Sequence, residues 1–312
     1  MNQAHDQSYK LLFSEPEIVI DLLQGFVHEE WVKELDFSTL EKVSGSYISD
    51  DLRAREDDII WRVKYRQSWI YVYLLLEFQS TVDRYMAVRL MTYIGLLYQD
   101  LIKSKQTLLD KRLPPVFPVV LYNGEQRWTA ATELKDLIVT LPGGLEHYLP
   151  ALKYLILDEG AYDPQTLTPL KNLVAAIFRL ENSRSYEDII EVISNLIEWL
   201  STPEQTRLRR SFSIWINRVL QPPGQSAQPK SNLNDLVEIK TMIAQRIPQW
   251  IQEGEQRGEA RGEAKTLLKQ LDLKFGELPA WVEQRVHTAD KKQLDIWVER
   301  ILTEDTLEKI FL

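Results

Sequence analysis

The sequence predicts an α/β fold, a sheet flanked by helices, followed by an all-helical C-terminal region. Three observations carry this. Tyr71-Val72-Tyr73-Leu74-Leu75-Leu76 is a nearly continuous apolar run that stops at Glu77-Phe78-Gln79-Ser80. Its length and aromatic content suit a strand buried on both faces. Further strand-like runs lie on either side, at residues 55–63, 117–122 and 154–158. From about Thr168 the pattern turns helical. Helix, strands, helix, strand, then helices is the order of an α/β sheet with flanking helices.

Taken in order, residues 1–45 read as helical. Tyr9, Leu12, Phe13 and Pro16 open this region, Ile18, Ile20, Leu22 and Leu23 continue it, and Trp31, Val32, Leu35 and Phe37 form another apolar group. Arg55 to Val63 reads as a strand, and the polar segment Lys64 to Ser68 as a hairpin turn into the Tyr71 strand. Ser80-Thr81-Val82-Asp83 can cap a helix from about Arg84 to Lys103. Leu113-Pro114-Pro115 is an extended connector. Phe117 to Tyr122 is a buried strand ended by the turn Asn123-Gly124, and Tyr154 to Asp158 is another strand. Ser185-x-x-Asp188 and Thr202-Pro203-Glu204-Gln205 are helix-capping signals, the second with Pro at the first helical position. Gln221 to Pro229 is linker-like. The expected organisation is a domain over 1–220, a linker over 221–231 and a helical domain over 232–312. In the last of these, Leu267, Leu268, Leu271, Leu273 and Phe275, then Leu294, Trp297, Ile301 and Leu302, mark short amphipathic helices broken by Gly276 and Pro279.

Composition bounds the function. The chain has 312 residues, 44% of them hydrophobic, as in ordinary globular proteins. It has no Cys, which excludes disulfides and thiolate metal sites. The four histidines, His5, His28, His147 and His287, form no His-x-x-x-His pattern. The N-terminus lacks a signal-peptide pattern, and no apolar run approaches the ~20 residues of a membrane helix. The expectation is a cytoplasmic protein with no membrane contact. A net charge of -9 argues against a protein that coats nucleic acid. Phosphate contacts need only a local basic surface. Candidates are Lys103, Lys105, Lys111 and Arg112, and Arg207, Arg209 and Arg210, each cluster equally readable as a solvated helix end or loop.

The chemistry concentrates at the end of the central run. Side chains alternate along a strand, so Tyr71, Tyr73, Leu75, Glu77 and Gln79 share a face. A carboxylate is costly to bury without a partner, so Glu77 should meet water, a cation or a metal. Folding the chain at Lys64 to Ser68 brings Asp58 to the same end of the sheet as Glu77. Two converging carboxylates make a hard oxygen site suited to Mg²⁺ or Mn²⁺. The alternative is a strand that simply ends in solvated charges.

These residues also carry a resemblance. Arg55-x-x-Asp58, then Leu76-Glu77-Phe78-Gln79-Ser80, then Met86, Arg89 and Tyr93, then Pro118-Val119-Val120-Leu121-Tyr122-Asn123-Gly124 resemble the recombination-promoting nuclease / putative transposase family of the PD-(D/E)xK nuclease superfamily. His5-Asp6-x-x-Tyr9-Lys10-x-x-Phe13-Ser14-x-Pro16-Glu17 is similar to that family's opening motif. The match covers roughly residues 1–200. It implies a restriction-endonuclease-like core with a mixed central sheet, and Mg²⁺-dependent endonucleolytic cleavage of DNA linked to recombination. Asp58, Glu77 and Gln79 are then the catalytic residues, with Asp58, Glu77 and the Phe78 carbonyl as metal ligands. Asp6, Lys10, Arg55, Arg89 and Tyr93 are supporting residues. Asp6 matches a first-helix acid that assists at the metal in the wider superfamily, and reads equally as a helix cap. Arg89 either neutralises a phosphate, steadies a carboxylate or is a solvated surface arginine. Gln79 stands where most superfamily members have Lys, a usual departure in this family. A neutral amide cannot take a proton, so Gln79 can only orient water.

Two other classes stay open. The fold could serve as a DNA- or protein-binding module with little turnover, against which the Asp58/Glu77/Gln79 set argues. A transposase reading rests on the family's name, and no third DDE-type carboxylate stands at a defensible position. The tail, similar to the small helical domain that follows such nucleases, holds one more pattern. Gly254, Gly258 and Gly262 form one helical stripe, with Glu255, Glu259 and Glu263 on one side and Arg257, Arg261 and Lys265 on the other. Two stripes packed in parallel set acidic against basic flank, which predicts a homodimer. A lone solvated helix held by its own charge pairs is the alternative.

Overall fold

The computed structural model describes residues 3–43, 58–66, 68–77, 82–106, 111–124, 126–141, 143–183, 185–219, 235–276, 278–289 and 291–311. For residues 3–6, 58, 73–77, 246–261, 287 and 292 it describes the backbone alone. The chain forms two compact units, Met1–Thr241 and Met242–Leu312. The expected linker lies outside the described residues.

The first unit is built on a five-stranded sheet ordered β1-β2-β3-β4-β5, from β1 (Leu35–Lys42), β2 (Asp58–Tyr65), β3 (Ser68–Glu77), β4 (Val116–Tyr122) and β5 (Leu155–Asp158). The first three strands pair antiparallel and the last three parallel, so the sheet is mixed. Tyr65 pairs with Ser68, which makes the β2–β3 connection tighter than the sequence implies. Arg66 takes a left-handed φ of 54° there.

Helices cover both faces. On one lies α3 (Met86–Lys103), which buries Met86, Ala87, Leu90, Tyr93, Leu97 and Leu101 against Ile60, Tyr71 and Val120. Asp83 starts this helix, its Oδ1 accepting from the Tyr85 N–H at 2.8 Å. On the other lie α1 (Gln3–Leu12) and α2 (Pro16–Phe26). Tyr9, Leu12 and Phe13 are spaced for one helical face, and all three are fully buried. The Trp61 indole N–H donates to the Phe13 carbonyl at 3.1 Å and pins the end of α1 to β2. After β5 come α4 (Pro164–Leu167), α5 (Leu173–Asn182), α6 (Tyr186–Trp199) and α7 (Thr206–Val219). The Ser185 hydroxyl caps α6 through the Asp188 N–H, and Thr202 and Gln205 form a capping box before α7. Trp215 of α7 meets Tyr9 of α1 edge to face.

Two expectations need correction. Residues 35–42 form strand β1, not helix. Trp31, Val32 and Leu35 have helical spacing, and residues 30–34 do make a short 3₁₀ turn. Beyond it the alternation from Leu35 to Leu40 and pairing with β2 override the helical reading. The tail helices are not all short: α8 (Leu236–Phe275) runs for 40 residues before Gly276, at φ 79°, ends it. Then follow α9 (Ala280–Thr288), α10 (Lys291–Thr303) and α11 (Leu307–Ile310). In the second unit Leu267, Leu271, Val282, Val286, Leu294, Trp297, Ile301 and Phe311 form one core. Among the described residues no helix is long and apolar enough to cross a membrane.

Candidate active site

The register of the sheet brings positions 58 and 77 to one end of two adjacent strands. Asp58 pairs with Leu75 across the β2–β3 ladder, and Glu77 lies two residues further along β3. Alternation puts positions 58, 75 and 77 on the same face, the α3 face. Diagonal neighbours of this kind stand about 7 Å apart at Cβ, within reach of one shared cation. The row continues across the parallel strands: Glu77 pairs with Tyr122, and Tyr122 with Asp158. The amino end of β2 and the carboxyl ends of β3, β4 and β5 thus line up Asp58, Glu77, Tyr122 and Asp158 on one face. No cluster of three or more His, Cys, Asp or Glu gathers as a metal site among the described side chains, which do not include those of Asp58 and Glu77.

Asp158 was part of a predicted strand but had no assigned role. Its carboxylate is fully engaged. Oδ1 accepts from Arg127 Nη1 at 2.7 Å and Oδ2 from the Trp128 backbone N–H at 2.9 Å. Asp158 therefore ties the chain after β4 across the strand ends. Two glycines make this possible by close approach. A Cβ on Gly124 would collide with the Tyr122 ring, and one on Gly160 with the Arg127 guanidinium. The Trp128 indole N–H donates to Tyr154 Oη, which donates to the Ala131 carbonyl. Burial, opposed by the Trp128 bond and aided by the charge of Asp83, pushes the Tyr154 hydroxyl up to about 12.

Beside this row, the start of α3 holds the predicted Arg89. Its Nη1 pairs with Asp83 Oδ2 at 3.1 Å and its Nε donates to Tyr93 Oη at 3.3 Å. Asp83 is not one of the predicted site carboxylates, so this pair decides neither of the roles expected for Arg89 at the site. Tyr93 is buried in the core beneath α3.

The remaining predicted residues divide. Arg55, Phe78 and Gln79 lie outside the described residues. Asp6 is in α1, where its backbone alone is described. Lys10 is in the last turn of α1, where it repels the Lys42 ammonium. The basic residues Lys103, Lys105, Lys111 and Arg112 fall between the end of α3 and the start of β4. Because β4 runs parallel to β3, that is the end of the sheet away from positions 58 and 77. Arg207 pairs with Glu15, and Arg209 donates to the carbonyls of Leu200 and Thr202.

Sequence reasoning missed a second acidic group, on the opposite face. Glu159 is 1% exposed, and Tyr9 Oη donates to its Oε2 at 3.1 Å. Its Oε1 is buried with no hydrogen-bond partner. Burial first, then the neighbouring Glu181 charge, push the Glu159 carboxyl well above the usual carboxylate range.

Comparison with known proteins bears on this geometry. Residues 3–210 match the family described as putative transposase, YhgA-like. The chain belongs to that family. The recombination-promoting nuclease RpnA of Escherichia coli K12 is 36% identical over 123 residues, which are 38% of this chain and 40% of RpnA. RpnD of Escherichia coli O157:H7, also named a recombination-promoting nuclease, is 33% identical over 124 residues, 39% of this chain and 46% of RpnD. A third K12 relative, 32% identical over 124 residues, 40% of each chain, is named the inactive recombination-promoting nuclease-like protein RpnE. The chain thus spans less than half the length of these relatives. No solved structure matches. The family therefore contains members named as nucleases and members named as inactive.

Proposed function

We propose that this protein is a metal-dependent DNA endonuclease with a PD-(D/E)xK-type core, hydrolysing phosphodiester bonds in recombination. The observation that supports it is the register of β2 and β3, with positions 58 and 77 on one face and at one end of adjacent strands. Relatives named recombination-promoting nucleases support the same reading.

In this reading Asp58 and Glu77 hold Mg²⁺ or Mn²⁺, with the Phe78 carbonyl as a further oxygen donor. A bound divalent cation neutralises charge on the scissile phosphate and lowers the pKa of water. Gln79 orients the attacking water without taking its proton. Arg89, engaged with Asp83 and Tyr93, fixes the start of α3 beside the site. The test is cleavage of supercoiled DNA with Mg²⁺, with and without EDTA. Nicking that EDTA stops supports the reading. A relative named inactive favours a second reading, a DNA- or protein-binding module of low turnover. Binding without cleavage in both Mg²⁺ and Mn²⁺ decides for that one. The word transposase in the family's description is tested by the products, joined strands against hydrolysed ends.

Two expected results follow. Gln79→Ala lowers the cleavage rate by roughly 10²-fold, the low end for a positioned catalytic group, while Gln79→Lys retains or raises it. An unchanged Gln79→Ala rate removes Gln79 from the chemistry. The second concerns assembly. The stripe Gly254, Gly258 and Gly262 lies within α8, each Gly costing about 1 kcal/mol against Ala in a helix interior. A Cβ on Gly262 would meet nothing within 4 Å, so that side is open to a neighbour. Wild type should sediment as a dimer through parallel stripes, and Gly258→Leu as a monomer. A wild type monomeric at micromolar concentration ends the idea.

A further inference from the structure

The active-site row occupies one face of the sheet. A cluster of cations stands around the corner, at the same end. Lys42 is the last residue of β1, the edge strand. It pairs with Trp61, and the next residue, Val43, donates its N–H to the Ile60 carbonyl at 2.8 Å. Asp58 is three residues along β2 from Trp61, roughly 10 Å of strand. The Lys42 ammonium donates to Ser14 Oγ at 2.6 Å, and Ser14 Oγ donates to the Lys10 carbonyl at 2.5 Å. Lys42 is thereby fixed against the end of α1.

Arg207, in the first turn of α7, reaches the same spot. Its Nε donates to Glu15 Oε1 at 3.0 Å, and Ser211 Oγ donates to that oxygen at 2.9 Å. Glu15 is buried beneath the group, whereas the Arg207 side chain is 77% exposed. Lys42 thus faces two cations, Lys10 and Arg207, and one anion, Glu15. Burial and then the repulsion of both cations hold its ammonium below its ordinary pKa, with Glu15 opposing. Holding like charges together costs free energy, and an anion placed over them relieves that cost. The chain carries a net charge of -9, so a basic cluster at the edge nearest Asp58 is a local departure from its overall charge.

We propose that Lys10, Lys42 and Arg207 form a phosphate-binding patch that holds the DNA backbone beside the active-site row. The patch rests on the nuclease reading for the identity of its ligand. It receives phosphates that flank the scissile one, because it lies on the α1 side of the sheet and not on the α3 side. Lys42 supplies a point charge, and Arg207 an exposed fork whose remaining N–H groups suit phosphate oxygens.

The test is the salt dependence of binding to a short labelled DNA duplex in EDTA, where no metal-dependent cleavage occurs. Each neutralised phosphate contributes about 0.9 to the slope of log affinity against log salt. Lys42→Gln with Arg207→Gln should weaken binding and reduce the slope by about 2, while Lys42→Arg with Arg207→Lys retains it. Arg207→Gln removes a partner from buried Glu15. If the double variant does not fold, Lys42→Gln alone should reduce the slope by about 1. Arg66→Gln, in the β2–β3 turn at the far end of the sheet, serves as the control. An unchanged slope in the patch variants, or an equal fall in the control, overturns the patch. Cleavage by wild type is scored separately. Cleavage with an unchanged slope removes the patch and leaves the nuclease reading. A reduced slope in the patch variants, where wild type itself never cleaves, keeps the patch and removes the nuclease reading.

Discussion

Asp58→Ala and Glu77→Ala are each expected to abolish divalent-metal-dependent cleavage of supercoiled DNA while leaving the fold intact. The two positions are on adjacent antiparallel strands and one face, offset by two residues. A cation held between two carboxylates loses half its charged ligands when either is removed, so the single and double variants should be equally inactive. The fold should survive because each residue terminates its strand and the ladder bonds are made by the backbone. Removing a carboxylate also lessens repulsion of phosphate, so DNA binding in EDTA should be equal or tighter. The measurement pairs nicking with circular dichroism and binding. Wild-type-like nicking by either folded variant sinks the assignment.

Asp158 provides an internal contrast. It lies in the same row, one strand beyond Tyr122, yet both its oxygens are engaged by Arg127 and Trp128. Asp158→Asn replaces one acceptor oxygen with a donor, which disturbs the loop after β4. Its defect should appear as lost stability first and lost cleavage second, the opposite order to Asp58→Ala.

The strands from β2 to β5 were legible because each is an apolar run with an abrupt polar end. The places of Asp58 and Glu77 at strand ends were legible for the same reason, being the acids at which two such runs begin or stop. Strand β1 was not. Its residues Leu35, Phe37 and Thr39 alternate weakly, and what makes them a strand is pairing with β2, more than twenty positions on. The Lys10, Lys42 and Arg207 cluster was equally hidden. Arg207 is 192 residues from Glu15, and no local pattern records that contact. Arg207 was singled out as part of a basic run, and what that run does not record is its pairing with Glu15 and its closeness to Lys42. Glu159 follows a strand with nothing in the local sequence to mark it. Its burial depends on Tyr9, 150 residues away, closing over it.

Glu159→Gln is expected to raise stability at alkaline pH and to change little in mild acid. Glu159 is packed beneath α1 with one oxygen bonded to Tyr9 and the other unpartnered. The charged and titratable groups around it are Tyr9 from α1, Asp158 from β5 and Glu181 from α5. Burial, then Glu181, then Asp158 disfavour its ionised form, and only the Tyr9 bond favours it. Its folded pKa therefore lies above its unfolded value of about 4.3. The folded state binds the extra proton, so stability falls as pH rises. The contribution is complete below the unfolded pKa and is lost as pH climbs through the raised value. Ionising a carboxyl in such a place costs on the order of several kcal/mol, and each kcal/mol moves the melting temperature of a unit this size by about 2–4 °C. Gln has the same shape, accepts from Tyr9 through its carbonyl and offers an N–H₂ where Glu159 needs a proton. Wild type should lose stability as pH rises above the unfolded pKa and through the raised folded value, and Glu159→Gln should remove most of that slope. Tyr9→Phe, which leaves Glu159 ionisable and takes away its one favourable bond, should keep the slope or steepen it. Parallel wild-type and Glu159→Gln curves across this range would show that Glu159 ionises in the folded protein without penalty.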